Sequence, residues 1–226
     1  MTLSLEKTKE KALIIQRHQA SWQDYVEIRD SADLDWKKIS FSKGWLWIDM
    51  SSEGPNHAAF SDLMIALIYV WAFSHPDVPI QSYGRCLIEK PEMDACAPDL
   101  VLYKGDDIPR LQVGESPRRI SAQRHRLPDL VGEIGDTTLS VDLDEQKQLY
   151  ANLGIPEYWV IDVKGARIFA FGLSESGEGA GKYELIEHSR VLAGLPIALI
   201  EQTLERLETE TNTAAANWFM QQLQSE

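Results

Sequence analysis

Apolar residues recur at helical spacing between His57 and Phe73, where Leu63, Leu67, Val70 and Trp71 share one stripe and Pro76 and Pro79 follow. That spacing predicts the first clear helix. A strand is expected through Tyr83-Gly84-Arg85-Cys86-Leu87-Ile88. Two continuous apolar runs, Leu100-Val101-Leu102-Tyr103 and Leu130-Val131-Gly132-Glu133-Ile134, have the length and composition of strands buried on both faces. A second helix runs from about Asp142 to Leu153 and stops at Gly154, with Pro156 beyond. Tyr158 to Asp162 reads as a strand. A turn at Lys164-Gly165 then leads to Arg167-Ile168-Phe169-Ala170-Phe171, as in a hairpin. Ser174 to Gly181 is a Gly/Ser/Glu loop, Lys182 to Glu187 a short strand, and Pro196 to about Leu223 mostly helical. Residues 1–40 are weakly patterned, with a short helix near Asp24 to Arg29 and Trp36 leading to Trp45-Leu46-Trp47-Ile48. The elements describe one α/β domain, a mixed central β-sheet flanked by helices, with one core. Its expected divisions are an N-terminal extension 1–40, the domain 41–205, and a C-terminal helical segment 206–226 packed on the domain or a partner.

The two buried runs open with the same four residues, Pro98-Asp99-Leu100-Val101 and Pro128-Asp129-Leu130-Val131, and the second carries Glu133 inside it. A carboxylate in an apolar run costs several kcal/mol unless it meets a cation or hydrogen-bond donors. Asp129 and Glu133 share a strand face but stand roughly 13 Å apart at ~3.3 Å per residue, too far to hold one ion. Asp99 reaches Glu133 if the two strands are neighbours, because cross-strand pairs lie within about 5 Å. Oxygens at roughly 2.0–2.5 Å suit a hard divalent cation, so Asp99 and Glu133 are the candidate metal pair.

The chain has 226 residues, 44% apolar and 25% charged, ordinary globular material for one well-filled core. No run is expected to span a membrane, the N-terminus does not resemble a signal peptide, and a cytoplasmic location is expected. Cys86 and Cys96 lack zinc-ligand spacing and read as reduced thiols. A net charge of −13 argues against a general nucleic-acid coat. Local charge differs, however. Arg110, Arg118, Arg119, Arg124 and Arg126, with His125, are opposed only by Glu115. This basic loop joins the two acid-bearing strands, where it either holds a phosphate backbone or is merely solvated.

The strings APDLVLY, LPDLVGEI and DLDEQKQLYANLGIPEYWVIDV resemble the Uma-type family of restriction endonucleases in the PD-(D/E)XK nuclease superfamily. The similarity spans about Trp45 to Glu205 and is most specific from Pro128 to Val163. It implies a restriction-endonuclease-like fold, Mg2+ or Mn2+, and phosphodiester hydrolysis in DNA, of restriction or mobile-element type. Asp99 resembles the first metal-binding aspartate and Glu133 the second acid, with the Ile134 carbonyl as a further metal ligand. The superfamily's lysine two residues after the second acid is Gly135 in this chain. In the Uma-type pattern the lysine moves to the following helix, four residues before Tyr150, which is Gln146; Lys147 is its neighbour and the candidate substitute. Gln146 and Tyr150 also match the QxxxY spacing of RecB-like nucleases. Glu53 and His57 lie where the superfamily often carries an auxiliary acid.

If active, Asp99 and Glu133 would hold an ion that polarises a phosphate, Lys147 would orient water or steady phosphate charge, and Arg118, Arg119, Arg124 and Arg126 would contact DNA phosphates. Double-strand cleavage needs two sites, and Ile200, Leu204 and Leu207 form an apolar stripe suited to a homodimer. Gln146 and the overall acidity fit an alternative, a lapsed nuclease fold acting as a nucleic-acid or protein interaction module. A third reading is a hydrolase of small phosphoesters.

Overall fold

The computed structural model describes residues 15–31, 38–49, 54–116, 118–136, 138–174 and 181–224. Chain order begins with β1 (Ile15–Gln19), α1 (Trp22–Asp30), β2 (Lys38–Ser42) and β3 (Trp45–Asp49). Ser21 starts α1 with a reciprocal cap: the Asp24 amide donates to Ser21 Oγ at 3.2 Å and the Ser21 amide to Asp24 Oδ2 at 2.7 Å. β2 and β3 form a hairpin across Lys43-Gly44, both at positive φ (49° and 77°), as a tight turn between twisted strands requires. Strand alternation sends Ile39 and Phe41 into a small core with Tyr25 and Leu46, and leaves Lys38, Ser40 and Ser42 on the opposite face.

With β5 (Leu87–Lys90), β6 (Asp94–Cys96) and β8 (Arg119–Ser121), these strands make a six-stranded sheet ordered β1-β3-β2-β6-β5-β8. The boundary expected at residue 40 therefore falls inside β2, and β1 and β2, from the stretch expected as an extension, are strands of this sheet. The strand expected over Tyr83–Ile88 is broken, because a turn at Gly84-Arg85, with Arg85 at φ 55°, separates the first sheet from the second.

The second sheet, also six-stranded, runs β12-β11-β10-β9-β7-β4, from β4 (Ile80–Tyr83), β7 (Leu100–Lys104), β9 (Leu130–Gly135), β10 (Glu157–Asp162), β11 (Arg167–Ser174) and β12 (Lys182–Leu185). Its parallel pair, β9 and β10, needs a crossover. α3 (Leu139–Val141), a π turn (Asp142–Gln146) and α4 (Lys147–Leu153) supply it, ended by Gly154 at φ 80°. One main cluster of buried side chains gathers α2 (Pro55–Phe73), α5 (Ile197–Glu205) and α6 (Asn212–Leu223) with Leu100, Leu102, Leu130 and Ile134. Another gathers Leu149, Tyr150 and Leu153 with Val101, Tyr103 and Val131. The single core expected is thus three clusters around two sheets.

Two further expectations change. α2, at 19 residues and mean hydropathy 1.2, is long and apolar enough to cross a membrane by length and composition, yet it packs on α6 and β9 with Leu63, Met64, Leu67, Ile68 and Trp71 buried. The stripe assigned to a dimer instead faces its own chain: Ile200 and Leu204 are core residues and Leu207 packs against them.

Glu157 at the start of β10 is 0% exposed. Its carboxylate accepts from Trp159 Nε1 at 2.7 Å and from the amides of Arg190 and Val191 at 2.8 and 2.9 Å, fastening the segment before α5 to the sheet. Glu157→Ala leaves these buried donors unpaired. Urea denaturation should show a loss of about 3 kcal/mol or more, while Glu157→Gln, which keeps an acceptor, should lose less. Equal stability of Glu157→Ala and wild type would contradict a structural role.

Candidate active site

Antiparallel pairing of β7 with β9 sets Leu100 opposite Gly132 and Val101 opposite Val131. One step further, the register brings Asp99 beside Glu133. Gly132 makes the close strand approach possible, since a Cβ there would come within 3.3 Å of Leu100. Both acids are almost fully buried, at 5% and 2% exposure.

What meets them is Lys38, from the other sheet. Its ammonium lies 2.9 Å from Asp99 Oδ1 and donates to Glu133 Oε2, with about a quarter of the side chain open to solvent (26%). The remaining carboxylate oxygens are held separately. Asp99 Oδ2 accepts from the Ile134 amide at 2.8 Å, with His57 Nε2 3.6 Å away, and Glu133 Oε1 accepts from the Tyr150 hydroxyl. Each acid is therefore oriented by one partner and turns its other oxygen to a shared cation.

Electrostatics separate the two acids. Burial pushes Asp99 up, but the Lys38 charge, His57 and the Ile134 amide outweigh it and hold the carboxyl well below its usual range. Glu133 is raised to about 8, chiefly by burial and further by Asp99 and Asp142, against the opposing pull of Lys38. Burial works against the Lys38 charge, yet the two acids keep its pKa above the ordinary lysine value. The group holds more acid than one ammonium neutralises.

Lys38, Ser40, Trp47 and Asp49 from the first sheet, Glu133 from the second, and Thr138, Asp142 and Gln146 from the crossover between β9 and β10 line a cleft of about 30 Å³, room for roughly one water or ion. Trp47 Nε1 and Gln146 Oε1 are buried there without a hydrogen-bond partner among the described residues. Leaving such groups unsatisfied costs about 1–3 kcal/mol each, so the wall is built to meet polar ligand atoms. Asp142 is buried in this wall, accepts from Thr138 Oγ1 at 2.7 Å, and is raised to about 6 mainly by burial.

Lys147 is not part of this arrangement. Its ammonium sits 3.8 Å from the centre of the Phe171 ring, in a separate depression with Leu143, Lys182 and Tyr183. The π turn accounts for the difference: Asp142 and Gln146 face the carboxylates, and Leu143 shares the other side with Lys147. Gln146 reaches Ser40 Oγ at 3.4 Å and the Tyr150 hydroxyl donates to Glu133, so the two residues of the QxxxY spacing lie beside the acids. Gly135 is crowded, because a Cβ there would stand 3.2 Å from Asp142 Oδ2 and 3.4 Å from the Leu139 Cα. Glu53 lies outside the described residues. Ile134, expected to offer its carbonyl, is seen donating its amide to Asp99.

The basic loop does not act as one unit. Arg126 is tied down internally, to the Asp107 and Lys104 carbonyls at 2.6 and 2.7 Å and to Asp129 at 2.8 Å, with its guanidinium over Tyr103. Arg119 lies in β8 and pairs with Glu89 at 3.0 Å, Arg124 reaches Glu115 at 3.6 Å, and Arg118 is exposed.

Two strands that bring a buried acid pair together, inside sheets flanked by helices, define a nuclease-like α/β fold. The Uma2 family, described as "Putative restriction endonuclease", matches residues 22–211, and the chain belongs to it. A solved structure from Anabaena variabilis ATCC 29413, described as "a putative nuclease belonging to DUF820", is similar in fold, with a TM-score of 0.53 and 12% identity over 88% of this chain and 98% of that one. A comparison with curated proteins finds no match.

Among the described residues no three His, Cys, Asp or Glu side chains form a ready metal cluster. Two carboxylate oxygens converging on one cation nevertheless fit Mg2+ or Mn2+, which commonly take one or two carboxylates and complete their shell with water and phosphate. Lys38→Met should leave two buried acids without their cation and lower stability by about 3–5 kcal/mol in chelator. Mg2+ should return more stability to Lys38→Met than to wild type in thermal melts, and equal metal shifts would place the ion elsewhere.

Proposed function

We propose that the chain is a divalent-metal-dependent DNA endonuclease whose working residues are Asp99, Glu133 and Lys38. The observation that carries this reading is the turning of one oxygen from each acid onto the same cation. Mg2+ or Mn2+ held by Asp99 and Glu133 would polarise a scissile phosphate and lower the pKa of a bound water. The protein's own contribution is orientation. Tyr150 fixes Glu133, and the Ile134 amide fixes Asp99, so neither acid reorganises when it exchanges one cation for another.

Lys38 supplies the positive charge that the resemblance assigned to Lys147. With a metal bound, its ammonium is free to meet a phosphate oxygen or hold the attacking water, and its partly exposed stem allows that shift. The reading of a lapsed nuclease rested on Gln146 and the overall acidity, and Lys38 offers, in place of Gln146, an ammonium at the acids. The enzyme type this reading implies is a cytoplasmic endonuclease of restriction or mobile-element type. Cutting both strands calls for two such sites, and so for a homodimer joined through a surface other than the α5 stripe.

Wild type should convert supercoiled plasmid to nicked or linear forms with Mg2+ or Mn2+ and not in chelator. Glu133→Ala and Asp99→Asn should abolish cleavage. Lys38→Ala should slow it by about 10²–10³, the usual loss for one transition-state charge stabiliser, and Lys147→Ala should leave it unchanged. A Lys147→Ala enzyme as inactive as Lys38→Ala would overturn the assignment.

A further inference from the structure

Apart from the cleft between the acids, the β4–β5 turn, the Pro109–Leu111 stretch and β8 enclose a second cleft of about 640 Å³. Its size is that of a small-molecule site. Arg85, Arg110, Arg118 and Arg119 line it, and no aspartate or glutamate does. On a protein of net charge −13, four arginines around one concavity focus positive potential where the rest of the surface repels anions. Nearby acids engage only part of this charge. Glu89 Oε2 holds Arg119 at 3.0 Å, and Asp30, kept below its usual carboxyl range first by Arg29, responds more weakly to Arg119 and Arg118. The exposed guanidinium groups of Arg110 and Arg118 make no hydrogen bond or ion pair among the described residues.

The rest of the lining is uncharged and includes one aromatic ring, Tyr83. Tyr83 is fixed there, its hydroxyl donating to the Pro109 carbonyl at 2.7 Å and its ring meeting Tyr103 edge-on at 5.8 Å. Tyr83 and Pro109 thus form one wall beside Arg110 and Arg118, and Ile120 also lines the cleft. A ligand that matches both halves has a flat ring and an anionic group, which is the chemistry of a nucleotide: aromatic side chains stack bases, and guanidinium groups grip phosphate. The cleft also adjoins the acid-bearing strand, since a Cβ on Gly84 would lie 3.9 Å from the Asp99 carbonyl oxygen.

We propose that this cleft binds one nucleotide unit, its phosphate on Arg110 and Arg118 and its base against Tyr83 and Pro109. The unit comes either from a single-stranded segment or from a free mononucleotide. Binding here needs no metal and none of the three working residues, so the inference goes beyond the hydrolytic reading.

The full chain in chelator, titrated against a fluorescently labelled single-stranded oligodeoxynucleotide, should bind with an anisotropy change. Arg110→Ala with Arg118→Ala should weaken that binding about tenfold or more and reduce the salt slope by about 1. Because both side chains are exposed, the melting temperature should not move, and Arg110→Glu with Arg118→Glu should abolish binding at the same melting temperature. Competition by adenosine monophosphate would identify the free nucleotide as sufficient, whereas oligonucleotide binding without such competition would identify the strand as the source. Inorganic phosphate competing as well as the mononucleotide would overturn the role of the Tyr83 wall. Undiminished affinity in both double variants, or no binding by wild type, would overturn the site. Failure of the two readings is separable: arginine-dependent binding without plasmid cleavage keeps this cleft and removes the nuclease, and cleavage with arginine-independent binding does the reverse.

Discussion

The Lys38 ammonium between the Asp99 and Glu133 carboxylates is the contact on which the cleft depends. A single carboxylate buried without a partner costs several kcal/mol, and two side by side add their mutual repulsion. One ammonium offsets only one negative charge in full. That is why Asp99 stays ionised while Glu133 is raised to about 8. Such a group favours extra positive charge over extra negative charge, and a divalent cation supplies it. Lys38 also joins the two sheets, because it comes from β2 while Asp99 immediately precedes β7 and Glu133 lies in β9.

Other features of the site follow from where that cation originates. A side chain in place of Gly135 would press on Asp142 and Leu139, and the strand that carries Glu133 does not deliver the ammonium in this chain. The crossover helix does not deliver it either. Its π turn points Asp142 and Gln146 at the acids and leaves Lys147 over Phe171 on the far side. The helix contributes hydrogen bonding instead, through Tyr150 to Glu133 and Gln146 to Ser40. Charge from one sheet and orientation from the other meet in the same small cleft.

The acid pair was legible in the sequence because it depends on local patterns and simple register. Two apolar strands with matching Pro-Asp-Leu-Val openings place Asp99 one residue ahead of β7 and Glu133 within β9, and antiparallel neighbours then bring them together. The helices over Pro55–Phe73 and Lys147–Leu153 were legible for a similar reason, their periodicity and stops. Lys38 was not. Its meeting with the acids is a contact between sheets across 95 positions for Glu133, which no local pattern encodes. A signal did exist: Lys38-Ile39-Ser40-Phe41-Ser42 alternates polar and apolar as a half-buried strand does, but a boundary drawn at residue 40 cut it in two. Arg126 shows the opposite limit. Composition counts it with a basic loop, while its bonds to Asp129 and two carbonyls make it structural. Likewise, helical spacing identified the Ile200–Leu204 stripe but could not say that its own chain covers it.

The most direct measurement is the anomalous scattering of Mn2+ in crystals of the full chain. The account predicts a single strong peak with oxygens of both Asp99 and Glu133 within about 2.0–2.5 Å, and the Lys38 ammonium moved off at least one of them. A peak elsewhere, or an acid pair that keeps Lys38 in place at saturating Mn2+, would contradict it.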